Sequence, residues 1–209
     1  MQKNLRGIKV AVLVDNGFEQ VELTEPVKAL KDANALVEII APEKKVKGWN
    51  FTNWGDEITA DVLLNEADPE QYDALVLPGG VMNPDFLRIN KKAVDFVKTF
   101  LSGPKTVAAI CHGPWTLIET GLLKGRKLTS YPSIKTDLVN AGADWVDETV
   151  IIDKNLITSR KPSDIPAFNE RIINTLASLI PSPETGSANR PPVKGEKTED
   201  VRSKDPVKK

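Results

Sequence analysis

The 209-residue chain has one cysteine and one histidine. A single thiol excludes an internal disulfide and suits a reducing compartment. One imidazole and one thiol match none of the spaced His/Cys ligand sets that hold zinc, so no metal is expected. No nucleotide-cradling glycine motif is present, neither G-x-x-x-x-G-K-[ST] nor G-x-G-x-x-G, and no cofactor is expected. No apolar run approaches the ~20 residues of a membrane span. The N-terminal stretch "MQKNLRGIKVAVLVDNG" is interrupted by Asp15 and lacks a small-residue cleavage site, so it reads as a first strand and not as a signal peptide. An excess of either charge is also missing: 28 Lys and Arg face 29 Asp and Glu, for a net charge of −1. Neither nucleic acid nor an anionic membrane is therefore expected as a partner. What remains is a cytoplasmic globular protein, of a length that suits one well-buried core.

The apolar pattern alternates between two kinds of segment. "IKVAVLV" (residues 8–14), "ALVEIIAP" (35–42), "YDALVLPGG" (72–80) and "KTVAAI" (105–110) are short β-branched or aliphatic runs, the mark of strands buried on both faces. Between and after them lie helical patterns, in "EQVELTEPVKALKDAN" with Pro26 read as a first-turn residue, in "NKKAVDFVKTFLSG" closed by Gly103, and in "GPWTLIETGLLKG". Residues 43–68 suggest a hairpin followed by a short element. "KLTSYP" reads as a strand, "SIKTDLVNAGADW" as a helix capped by Ser133, "ETVIIDKNLITSR" as a hairpin, and "SDIPAFNERIINTLASLI" as a last helix. From Pro181 the chain turns polar, charged and rich in Pro, which predicts a disordered tail over 181–209 behind a domain over 1–180. Strands alternating with helices predict an α/β sandwich, a mostly parallel sheet with helices on both faces.

Ligands of such sheets bind beyond the carboxyl ends of the strands. Three polar clusters fall there: "DNGFEQ", "PGGVMNPD" and "CHGPW". The last holds the sole thiol and the sole imidazole, Cys111 and His112, side by side. An elbow from strand to helix pushes the Cys111 side chain out of the sheet, and the following helix start is expected to lower its pKa. A buried apolar cysteine is the plainer alternative; the convergence of the three clusters favours a nucleophile. His112 either turns to the sulfur, serves the substrate as acid or base, or caps the helix. With no second histidine, a papain-like arrangement and the ordinary glutamine amidotransferase triad are excluded. Glu19 is expected to face Cys111, protonated and able to shuttle protons, or else simply to favour a helix start. Glu22 and Glu25 are read as solvent-facing. Gly79 and Gly80 either make a tight turn or bring a backbone N–H to a substrate oxygen, forming an oxyanion site with the His112 N–H. Trp115, Tyr131 and Trp145 are read as core packing in preference to pocket lining.

The segments "DNGFEQVEL", "LPGG", "NPDFLRIN", "AAICHGPWTLIETGLLKGRKLTSYPSIKTDLVNAGADWVDE" and "LITSRKPSDIPAFNERII" together resemble the DJ-1/PfpI superfamily, in its PfpI-like branch, over residues 7–178. The resemblance implies a flavodoxin-like α/β sandwich, of the broader class I glutamine amidotransferase-like type, with a nucleophile elbow. It implies a nucleophilic Cys111 with Glu19 as acid partner. It also implies that Asp85, from a neighbouring subunit, approaches His112, and that the protein is a homodimer or a hexamer with the site near the subunit boundary. The activities it implies are glyoxalase III and deglycase chemistry on methylglyoxal, glyoxal or their early adducts on proteins and nucleotides. An intracellular cysteine peptidase using Cys111, His112 and Asp85 is the second expectation, and a redox sensor or chaperone acting through oxidation of Cys111 the third.

Overall fold

A computed structural model describes residues 3–180; the expected tail over 181–209 lies outside the described residues. Eleven strands and six helices alternate along the described residues. The strands are β1 (Lys9–Leu13), β2 (Leu36–Ala41), β3 (Lys45–Asn50), β4 (Asn53–Thr59), β5 (Val62–Leu63), β6 (Ala74–Leu77), β7 (Thr106–Ile110), β8 (Lys127–Leu128), β9 (Asp144–Trp145), β10 (Val150–Asp153) and β11 (Leu156–Ser159). The helices are α1 (Gln20–Asp32), α2 (Met82–Ile89), α3 (Lys91–Ser102), α4 (Pro114–Ile118), α5 (Lys135–Asn140) and α6 (Ile165–Ala177).

Seven strands form the central sheet in the order β10-β11-β7-β6-β1-β2-β5, parallel throughout except for the β10–β11 hairpin. The β-branched runs behave as buried parallel strands do: β1, β6 and β7 are covered on both faces. Val10, Val12 and Val14 belong to one apolar layer with Leu23 and Leu30 of α1 and Phe168 and Ile172 of α6. Ala11 and Leu13 belong to the other, with Phe96, Val97 and Phe100 of α3 and Leu117 of α4. This is the expected α/β sandwich.

From β1 the chain steps outward to β2 and β5, then returns to β6 on the other side of β1 and continues to β7 and β11. The reversal falls between β1 and β6. The carboxyl ends of β1, β6 and β7 are therefore neighbours, and a crevice opens there by topology alone.

Several local expectations differ. Pro26 sits inside α1, not in its first turn; its missing N–H leaves the Glu22 carbonyl without the usual i+4 donor. The "KLTSYP" strand shrinks to the two residues of β8, which pairs with β9 outside the main sheet. The helix expected over "GPWTLIETGLLKG" stops at Ile118. Residues 82–85, read as the end of the polar cluster "PGGVMNPD", open α2 (Met82–Ile89), with Pro84 in its first turn. Among the described residues no helix is long and apolar enough to cross a membrane.

Candidate active site

β7 ends at Ile110, and Cys111 follows with φ +62°. A left-handed backbone is uncommon for a residue with a side chain and costs on the order of 1–3 kcal/mol. Two anchors hold it: the Cys111 N–H donates to the Ser159 carbonyl at 3.0 Å and the Cys111 carbonyl accepts from the Tyr131 N–H at 2.8 Å. The elbow expected from the strand-to-helix junction is present, and its thiol is the single free cysteine.

Three groups converge on the sulfur. His112 Nδ1 lies 3.2 Å from Sγ, so the neighbouring ring does turn back to the thiol. The backbone N–H groups of His112 and Gly80 point to the sulfur and favour its thiolate form. The third group is a carboxyl, and it is not the one expected. Glu22 is fully buried, and its Oε2 accepts from the Gly79 N–H at 2.8 Å. Its Oε1 is buried with no hydrogen-bond partner among the described residues. Burial pushes the Glu22 carboxyl up to about 8, against the lowering effect of Cys111 and the Gly79 N–H. The carboxyl is therefore mostly protonated at neutral pH.

Glu19 was expected in that place. It is only partly buried, and its Oε1 accepts from the Phe51 N–H at 3.4 Å, on the β3–β4 hairpin. The reason is helical geometry. Glu19 precedes α1 with an extended backbone, whereas Glu22 lies within the first turn and shares its buried face with Pro26 and Leu30. Burial raises the Glu19 carboxyl too. Glu25, by contrast, is exposed as expected.

The thiol also departs from expectation. Burial pushes the Cys111 pKa up, and the Glu22 carboxyl adds to the effect; the two amides do not offset this. Gly79 has no free N–H to offer an oxyanion, because Glu22 takes it. Gly80 and His112 are the backbone donors left at the sulfur. Asn83 fixes this turn from below: its Nδ2 donates to the carbonyls of Pro78 and Gly79 at 2.9 and 3.0 Å, and its Oδ1 accepts from the Asp15 N–H at 2.7 Å. Asn83 thus ties the loop after β1 to the loop after β6, a role that the polar cluster "PGGVMNPD" did not single out.

Burial lowers the His112 pKa, so the ring is neutral near pH 7. Tyr131 stacks on it with centroids 4.8 Å apart and is 40% exposed, which places Tyr131 at the mouth of the site and not in the core. Trp115 is half-buried under the Arg88 guanidinium, and Trp145 donates to Ser130 Oγ. Ser133, expected as a helix cap, makes no such bond; its Oγ lies 2.9 Å from His112 Nε2. Asp85 is exposed in the first turn of α2 and does not bond His112 within one chain. The approach expected of it is from a second copy. Among the described residues no group of three or more His, Cys, Asp or Glu is gathered where a metal could be held.

Comparison with known proteins agrees with this fold. The family model described as "DJ-1/PfpI family" matches residues 8–175. The chain is 44% identical over 170 residues to the putative cysteine protease YraA of Bacillus subtilis, covering 80% of this chain and 98% of that protein. It is 45% identical over 173 residues to general stress protein 18 of the same organism (81% and 98% covered). It is 41% identical over 169 residues to the deglycase PfpI of Pyrococcus furiosus (81% and 99% covered). Among solved structures it is similar to Drosophila melanogaster DJ-1beta, with a TM-score of 0.75 and 32% identity over 81% of this chain and 90% of that one.

Proposed function

The chain belongs to the DJ-1/PfpI family, and on that premise we propose that it is a cysteine-dependent enzyme acting on methylglyoxal, glyoxal or their early adducts on proteins and nucleotides. One observation carries this reading. The only thiol stands on a left-handed elbow between a buried, protonated carboxyl, Glu22, and the ring nitrogen of His112. Relatives named as deglycases support the same chemistry.

In this reading the thiol proton passes to His112 Nδ1 as the sulfur adds to the aldehyde carbon. The carbonyl π electrons move to the oxygen, which accepts from the His112 and Gly80 N–H groups and takes the Glu22 proton, giving a hemithioacetal. Glu22, now a carboxylate, removes the hydrogen from the carbon that bears sulfur. It returns that proton to the adjacent carbon, while the hydroxyl proton moves from the first oxygen to the second. The product is a lactoyl thioester. Water adds its hydroxyl to the acyl carbon and the C–S bond breaks; the sulfur takes back the proton held on His112 and Glu22 takes the other water proton, so lactic acid leaves with both thiol and acid restored and ionises to lactate. The sum is methylglyoxal plus water to lactate and a proton, with no external thiol consumed.

The same Sγ–Nδ1 contact favours a second reading, a cysteine peptidase, and one relative bears that name. A single assay separates the two: lactate from methylglyoxal without glutathione, and cleavage of unfolded casein, each with wild type and Cys111→Ala. Lactate that depends on Cys111 supports the first reading. Peptide cleavage alone supports the second. Neither activity, with a mass gain at Cys111 under dilute peroxide, supports redox sensing.

The working form in this proposal is a homodimer or hexamer, with Asp85 of one copy approaching His112 of another. Its support is an exposed Asp85 in a segment that also exposes Val81, Phe86 and Ile89.

A further inference from the structure

A cleft of about 700 Å³ opens at the amino ends of β7 and β11, the end of the sheet opposite Cys111. Thr106 begins β7 and Cys111 follows its last residue, so roughly 16 Å of strand separates the cleft from the thiol. The cleft shares no residue with α2, the segment proposed above for the subunit boundary.

Three of its side chains are cationic, Lys124, Arg126 and Lys154, and no Asp or Glu lines it. The two lysines are exposed and form no ion pair among the described residues, where the paired lysines are Lys9, Lys28, Lys45, Lys91 and Lys105. Arg126 is buried, at 7% exposure. Its Nε donates to Asp153 Oδ2, and its Nη2 donates to the Asp153 carbonyl and to Asn155 Oδ1. Nη1 is left without a partner among the described residues. Thr106 is 3% exposed and also lines the cleft. Its hydroxyl makes no hydrogen bond among the described residues, yet it is not enclosed as the orphaned hydroxyls of Thr116 and Thr129 are.

Cations beside helix carboxyl ends often do no more than complement the dipole. Both helix ends at this cleft are satisfied by other groups. At the end of α3, Asn155 Nδ2 lies between 2.9 and 3.4 Å from the carbonyls of Phe100, Leu101, Gly103 and Lys105. The last carbonyls of α6 accept from the N–H groups of Ser178, Leu179 and Ile180.

We propose that this cleft binds an organic phosphate monoester. Asp153 neutralises Arg126, which leaves the charges of two lysines to meet a phosphate dianion. Arg126 Nη1 and the Thr106 hydroxyl, both on buried side chains, supply donors at fixed positions. Pro104, Leu122 and Leu179 offer an apolar wall for the body of the ester, and the volume is that of a small-molecule site. Binding is reversible, and no covalent bond changes.

The test is isothermal titration calorimetry of the full chain with AMP, adenosine and inorganic phosphate at low ionic strength, where charge contacts are least screened. AMP should bind with a Kd below about 1 mM, inorganic phosphate about tenfold more weakly, and adenosine not measurably. Lys124→Gln with Lys154→Gln should weaken AMP about tenfold, because two charge-assisted contacts are lost. Lys31→Gln with Lys91→Gln removes the same charge from α1 and α3 and should bind AMP as wild type does. All four positions are exposed, so these variants keep the core intact. The proposal is overturned by an absence of AMP binding, by adenosine binding as tightly as AMP, or by equal AMP affinity in the two paired variants. Inorganic phosphate binding as tightly as AMP would overturn it too, because the apolar wall would then contribute nothing. Methylglyoxal turnover does not enter the measurement, so its outcome is independent of the proposed activity.

Discussion

Glu22 and Cys111 meet across Gly79. A Cβ placed on Gly79 would lie 2.6 Å from Glu22 Oε2, 2.7 Å from Cys111 Cβ and 2.8 Å from the His112 backbone nitrogen. The absence of that one carbon is what allows an acid on α1 to reach a thiol at the end of β7.

Gly79→Ala should therefore injure both stability and chemistry. Overpacking of this kind costs about 1–3 kcal/mol, and relief by shifting the His112 backbone would displace the sulfur. We expect a lowered midpoint in urea and loss of Cys111-dependent turnover. A variant as stable and as active as wild type would show that the carboxyl and thiol do not need this close approach.

The buried acid also makes stability depend on pH. Glu22 titrates near 8 in the folded chain, against about 4.5 when unfolded. Between these values the folded state binds more protons, so stability falls as pH rises, by at most about 1.4 kcal/mol per pH unit. Burial of neutral His112 has the opposite sign, but only below about 6.5. The clean window is pH 6.5 to 8. Wild type should lose stability across it, and Glu22→Gln should be nearly flat. An equal change in urea-unfolding free energy between pH 6.5 and 8 for wild type and Glu22→Gln would refute the assignment.

The exposed side chains of α2 bear on assembly. Phe86 is 42% and Ile89 82% exposed. Phe86→Ser with Ile89→Ser should shift sedimentation toward the monomer and reduce turnover if Asp85 acts across a subunit boundary. A wild-type chain that sediments as a monomer at micromolar concentration would remove the role proposed for Asp85.

The sheet and the location of the site were legible because they rest on strong local signals. Four β-branched runs announced parallel strands, and the polar clusters after β1, β6 and β7 marked the crevice. The elbow was legible in "AICHGP". The acid was not. Glu19 and Glu22 differ by one turn of helix, and choosing between them requires knowing that α1 begins at Gln20. The signal was present as the spacing of Glu22, Pro26 and Leu30, which places a charged residue on an apolar face. Ser133 looked like a helix cap because serine before a helical pattern usually is one. Only the return of the chain past Tyr131 to the imidazole shows its actual partner. The raised thiol pKa was equally hidden, since the depth of burial follows from packing and not from spacing.

The central claim is that Cys111 and Glu22, not Glu19, carry the chemistry. The direct test is lactate formation from methylglyoxal without glutathione by wild type, Cys111→Ala, Glu22→Gln and Glu19→Gln. The account predicts turnover in wild type, none in Cys111→Ala, a loss of about 10²–10⁴-fold in Glu22→Gln, as removal of a general acid and base implies, and a change of no more than about fivefold in Glu19→Gln. A Glu22→Gln variant that works as wild type does, or a Glu19→Gln variant that is the inactive one, would contradict it.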